Sequence, residues 1–244
     1  MFPMRTPTRK IGLRLAGGWI VAAVLLAACS ASAPARTVYF VPFEGFPAPI
    51  LEDLANYCKS RFGLIVRARA ALTLDTDAAD PSRRQLIAEE LITRMRRGDP
   101  ALASDPRTVL IGFTSDDMYA RGQANWQFVF GWRQEGRFAV ISSARLEPSA
   151  IGEVPDDELL RARLRKTVTR YMGFLYYGLP LSDDRSSVLY RAILGVDDLD
   201  LIGDDFAPAP PPADPGAASV RSYRLPECRS RRSSASPSAP SGCA

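Results

Sequence analysis

The sequence predicts a mixed α/β domain, a sheet with helices packed on it, over residues 37–206. Three observations predict it. Runs rich in β-branched and aromatic residues alternate with stretches of helical periodicity, in the order β-α-β-α-β-β-β-α. Thr108–Phe113 is short and apolar, the pattern of a strand buried at a sheet centre. Trp126–Gly131 and Arg137–Ser142 are two further strand-like runs joined through Gln-Glu-Gly.

Taken in order, Thr37–Phe43 reads as a first strand that Pro42 stops. Pro49–Phe62 places Ile50, Leu51, Leu54, Tyr57 and Cys58 at amphipathic helical spacing. Leu64–Leu74 alternates and is expected to be a second strand. Pro81–Arg97 begins with proline and sets Leu86, Ile87, Leu91, Ile92 and Met95 on one face, which predicts a second helix. After the three runs named above, Asp156–Tyr177 is expected to form a third helix, basic at first and then strongly apolar. No internal repeat is visible.

The segments outside this domain read differently. Residues 1–28 carry Arg5, Arg9, Lys10 and Arg14 and no acid, followed by an apolar run from Leu15 to Ala28. That run is short for a membrane span, and small residues flank its end, as in a signal peptide. Leu26-Ala27-Ala28-Cys29 looks like a lipobox, so cleavage before Cys29 and lipidation of its thiol are expected. Two or three acyl chains at ~0.8 kcal/mol per buried methylene make a stable anchor. Ser30, rather than an acid, follows the cysteine, which points to the outer membrane of a Gram-negative cell envelope, facing the periplasm. Residues 29–36 are read as a tether, and residues 207–244, rich in Pro, Ala, Ser and Arg, as a disordered tail.

Composition adds exclusions. The chain has 244 residues, 46% apolar and 24% charged, which is ordinary for a globular protein. The four basic residues of the leader account for the whole net charge of +4, so the chain from Cys29 onward is formally neutral. The tail holds five arginines against Asp214 and Glu227, leaving the domain slightly acidic; no nucleic-acid partner is expected. Cys228 and Cys243 could close a short loop in the tail, with Cys58 left over as a small buried hydrophobe. The dispersed cysteines make no metal motif.

A longer pattern accumulates through the middle of the chain. Ile111-Gly112-Phe113-Thr114-Ser115-Asp116-Asp117-Met118-Tyr119, then Phe128-Val129-Phe130-Gly131, then Ala139-Val140-Ile141-Ser142-Ser143-Ala144-Arg145-Leu146 resembles the archaemetzincin family, small metzincin-type zinc peptidases. Val38-Tyr39-Phe40-Val41-Pro42 and the basic run before Lys166 fit it as well. The resemblance spans about residues 37–206. It implies a metzincin-like α/β (α+β) fold: a mixed, mostly parallel sheet of about five strands, helices packed on it, and a small C-terminal subdomain.

The family's next helix bears H-E-x-x-H-x-x-G-x-x-H. Two histidines four apart bind zinc from one helical face, with the glutamate between them as general base. A third histidine follows a glycine turn, and a methionine turn lies beneath. Aligned on Lys166 and Gly173, the first histidine becomes Arg170, the glutamate Tyr171 and the second histidine Phe174. With one inserted residue the turn glycine is Gly178 and the third histidine becomes Leu181; the turn methionine falls on Leu189. Sliding the helix by one puts Tyr171, Met172 and Leu175 at the first three positions instead. Cysteines of the family fall on Ser182, Ser187, Ala207 and Pro210. The chain contains no histidine, so a three-histidine zinc site, a Ser-His-Asp triad and a Cys-His pair are all impossible. No cofactor and no peptidase activity are expected.

Carboxylates are the catalytic groups that remain. Asp116-Asp117, Asp183-Asp184 and Asp197, Asp198 and Asp200 could supply an acid–base pair or a hard-cation site, which gives the alternative reading of a hydrolase with relocated chemistry. Turn caps and solvated loops explain the same residues. Asp183 and Asp184 follow the position of the lost third histidine. Tyr171, Tyr176 and Tyr177 could line a ligand groove, although helical packing accounts for them equally. Gln127, Phe128, Val129, Phe130 and Gly131 are expected to form an edge strand able to bind an extended peptide. The leading expectation is a lipid-anchored envelope protein that binds or scaffolds a peptide or protein. A third reading has the Arg-rich tail contacting an acidic surface.

Overall fold

The computed structural model describes residues 36–123 and 125–207. The leader, Cys29, most of the tether and the tail, with Cys228 and Cys243, lie outside the described residues. In chain order the elements are β1 (Thr37–Pro42), α1 (Ala48–Phe62), β2 (Val66–Ala68), β3 (Ala79–Asp80), β4 (Gln85–Ile87), α2 (Ala88–Gly98), α3 (Pro100–Ser104), β5 (Thr108–Thr114), β6 (Met118–Tyr119), β7 (Gly131–Gln134), β8 (Phe138–Ser142), α4 (Asp157–Leu175) and α5 (Val196–Leu201). The main sheet runs β2-β1-β5-β8-β7, and β3-β4-β6 form a smaller one.

Every residue of β5 is buried, which is why the strand reads as continuously apolar and lies at the centre of the main sheet. Its neighbours β1 and β8 run parallel to it, and β2 runs parallel to β1. Only β7, reached from β8 by a tight turn, is antiparallel. Alternate side chains divide between two cores. Val38, Phe40, Val109, Ile111, Phe113 and Ile141 pack under α1 and α4. Val41, Leu110, Phe138 and Val140 pack under Leu91, Ile92 and Met95 of α2. Each such large side chain, fully buried, stabilises the fold by roughly 1.5–3 kcal/mol. No helix among the described residues is long and apolar enough to cross a membrane.

Helix α4 is anchored along its length. The Asp156 carboxylate accepts from the amides of Glu158 and Leu159, closing the N-terminus. Arg165 grips Asp53 of α1 with Nε and Nη2, and the Tyr57 and Thr169 hydroxyls meet at 2.9 Å. Arg163, almost fully buried, binds Asp200 of α5, Glu153 and the Leu146 carbonyl. Lys166 donates to the carbonyls of Leu199 and Ile202. The segment after α4, including α5, is thereby held against the helix as a small subdomain.

Three expected elements differ. Leu64–Leu74 pairs as a strand only over Val66–Ala68, with a single bridge from Leu72 to Phe43. Pro81–Arg97 is helical only from Ala88. The Asp80 carboxylate accepts from the amides of Ser82 and Arg83, turning the chain, and Leu86 and Ile87 then pair with β6. Residues Gln127, Phe128, Val129 and Phe130 do not form a strand; the edge strand begins at Gly131. Their backbone is engaged inside the molecule. The Gln127 carbonyl accepts from Arg83 and Gln85, Val129 donates to Met118, and the Phe130 carbonyl accepts from Ser142. An incoming peptide has no ladder to join there.

Candidate functional site

The C-terminal half of α4 passes beneath β7, and here Arg170, Tyr171 and Phe174 meet Gly131 and Arg133 of the strand. Arg170 and Phe174, four apart, share one face of the helix. The Arg170 guanidinium carbon lies 5.1 Å from the Phe174 ring centroid, and that of Arg133, from β7, lies 4.6 Å from the same centroid. Arg170 donates through Nη1 to the carbonyls of Val188 and Tyr190, each at 2.8 Å. It thus ties α4 to the segment around Leu189, whose own side chain is buried. Burial lowers the Arg170 pKa to about 10, which still leaves it protonated at neutral pH.

Tyr171 is buried against β7 and packs edge-on to Phe174, centroids 6.0 Å apart. A β-carbon on Gly131 would fall 2.6 Å from its phenolic oxygen, so only glycine admits the ring at this strand position. Desolvation pushes the phenol up to about 12, holding it protonated. Gly173 likewise lets Leu189 and Phe206 approach the helix: an added β-carbon would meet them at 2.8 and 2.7 Å. Leu181 is 41% exposed. In the register shifted by one residue, Met172 and Leu175 are fully buried core residues.

The carboxylates are dispersed. Asp117 accepts from Arg145 and Gln85, and the Asp116 amide and carbonyl are held by Thr114 and Ser142. Asp183 pairs with Arg191 on the surface, while Asp184 accepts from the Ser186 amide, which holds its carboxyl below the usual range. Asp200 belongs to Arg163, and Asp198 accepts from the Leu194 amide. Asp197 lines a separate groove of about 470 Å³ with Phe128, Phe130, Arg145 and Leu194. Among the described residues no group of three or more His, Cys, Asp or Glu side chains could hold a metal ion.

A zinc site of the H-E-x-x-H kind needs neutral imidazole donors and a carboxylate base. Arg170 offers a cation, Phe174 and Leu181 offer hydrocarbon, and Tyr171 offers a phenol held protonated. These residues do not fit the metal. The sequence reading missed Arg133 and the matching of Gly131 to Tyr171. Both depend on the antiparallel register of β7 on β8, Gly131 opposite Ile141 and Arg133 opposite Ala139, which no local pattern encodes.

A mostly parallel five-stranded sheet over a long helix, with an antiparallel edge strand above that helix, defines the class of fold. Solved structures share it. An archaemetzincin from Archaeoglobus fulgidus, in complex with malonate, has a TM-score of 0.56 and 26% identity, covering 70% of this chain and 95% of that one. An archaemetzincin from Methanopyrus kandleri has a TM-score of 0.56 at 26% identity, covering 73% and 92%. A zinc-dependent peptidase from Methanocorpusculum labreanum, at 19% identity and a TM-score of 0.58, covers 69% and 95% and shares the fold. No protein-family model matches the chain. Among curated proteins, the archaemetzincin of Thermococcus kodakarensis is 32% identical over 150 residues, 58% of this chain and 76% of that protein. The archaemetzincin of Pyrococcus furiosus is 30% identical over 148 residues, 57% and 72%. The chain belongs to the archaemetzincin family.

Proposed function

We propose that this chain is a cell-envelope lipoprotein whose archaemetzincin domain has given up peptide hydrolysis and serves to bind or scaffold a peptide or protein. The observation that carries the reading is the replacement of donor chemistry at the site. Arg170, Tyr171 and Phe174 stand at the aligned positions of first ligand, base and second ligand, and the chain has no histidine to substitute for them. Without zinc there is no Lewis acid and no activated water at neutral pH. Tyr171 and Phe174 are buried, as side chains retained for packing would be.

The export and anchoring part of the proposal rests on Leu26-Ala27-Ala28-Cys29 alone. The binding part rests on β7, which ends the main sheet and pairs there only with β8, the position at which an extended chain would add as a further strand. Two experiments test these parts. Cys29→Ser should abolish labelling by a palmitate analogue and release the protein from membranes; unchanged labelling would contradict the anchor. A library of extended peptides titrated into the purified full chain should yield saturable binding without cleavage. Cleavage that survives exhaustive chelation would instead favour the carboxylate hydrolase.

A further inference from the structure

We infer that Arg170 and Arg133 form a carboxylate-binding site where the family pattern places its metal, so that the ligand of this domain presents a free carboxylate to it. The inference deepens the binding reading above and rests on it for the source of the carboxylate. Several half-buried or buried arginines of the domain are held by acids, Arg145 by Asp117, Arg163 by Asp200 and Arg165 by Asp53, and others, such as Arg36 and Arg137, are held by backbone carbonyls. Arg133 and Arg170 form no ion pair with any described residue, although both lie against the same Phe174 ring. Arg133 is near enough to depress the Arg170 pKa further, after burial. Two cations close together beside apolar rings repel each other unless an anion joins them.

Geometry gives the anion its place. Arg170 spends Nη1 on the carbonyls of Val188 and Tyr190, while Nε and Nη2 meet no acceptor among the described residues. The one side-chain polar atom among them that is both fully buried and unpartnered is Trp132 Nε1. The free Nε–Nη2 edge of Arg170 therefore reaches solvent, as does the guanidinium of Arg133. That edge is the planar fork that grips a carboxylate with two parallel hydrogen bonds. A purely structural reading explains the Nη1 bonds of Arg170 and the stacking of Arg133 on Phe174, but it makes no use of this fork.

The test follows arginine Nε–H resonances in the purified full chain. Sodium acetate, compared with sodium chloride at equal ionic strength, should shift the Arg170 and Arg133 signals; superimposable titrations would overturn the site. N-acetyl-trialanine as free acid should bind about tenfold more tightly than its terminal amide, the loss expected for a charge-assisted pair. Equal affinity of acid and amide would overturn the proposal while leaving peptide binding intact. Acetate shifts without binding of either peptide would sustain the anion site and count against the peptide reading. Arg133→Gln should erase the acid preference with melting unchanged. Arg170→Lys keeps a cation and a donor for the two carbonyls but loses the fork, and it should weaken the preference in the same direction. An acid preference that survives both variants would contradict the assignment.

Discussion

Tyr171 lies against Gly131 so closely that a β-carbon on the glycine would sit 2.6 Å from the phenolic oxygen and as close to the ring edge. The aromatic side chain at the aligned position of the general base thus fills the space beneath the edge strand, and the strand is shaped to receive it. Gly131→Ala should destabilise the domain by about 1–3 kcal/mol through overpacking. Tyr171→Leu opens room, so in the double variant the alanine should cost markedly less than it does alone, with a coupling of at least about 0.5 kcal/mol in urea unfolding. Additive effects would show that the two residues do not share this space.

Arg163 is 2% exposed at its side chain, whereas its partners Asp200 and Glu153 are 36% and 45% exposed. Those acids can rehydrate if the arginine is removed, but the Leu146 carbonyl loses its donor and the core gains a void. Arg163→Ala should therefore cost about 2–3 kcal/mol, less than a fully buried pair would. Chemical denaturation checks the value, and a change under 0.5 kcal/mol, about the scale of an exposed pair, would contradict the clamp role.

Glu147 has its pKa raised above the usual carboxylate value, first by burial and then by the charge of Asp157. The folded state therefore holds this proton more tightly than the unfolded state. Its stability contribution is fully present below the unfolded pKa and is lost as pH rises through the folded one. Glu147→Gln removes that loss. Its melting temperature relative to the parent should be more favourable near neutral pH than below the carboxylate range, and a pH-independent difference would refute the linkage.

Cys58 is fully buried, and desolvation pushes its thiol up to about 12. The thiolate is thus scarce, and access is closed. Peptide mapping after alkylation of native protein at neutral pH should find Cys58 unmodified, with full modification only after denaturation. Rapid native labelling would mean that the packing between α1 and the sheet opens readily.

The parts of the fold that were legible in the sequence are those where local pattern and tertiary burial agree. Thr108–Phe113 is apolar because β5 is buried on both faces, and the basic first half and apolar C-terminal half announce α4. Pro81 misled because proline followed by spaced leucines suits a helix start, yet Asp80 captures the next amides and Leu86 and Ile87 complete a sheet instead. Trp126–Gly131 has strand-like composition, but Arg83 and Gln85, some 40 residues earlier, take the Gln127 carbonyl. Loss of the histidines needed no structure to see. The pairing of Arg133 with the Phe174 ring could not be read from sequence, because it depends on how a hairpin edge sits over a helix.

The measurement that tests the central claim most directly is the zinc content of the purified full chain, followed by its melting with and without added zinc. The account predicts far less than one zinc per chain and an unchanged melting temperature. A ratio near one, or a stabilisation approaching the roughly 2.7 kcal/mol that a ligand gives at a hundred times its Kd, would contradict it and reveal a metal site built from other donors.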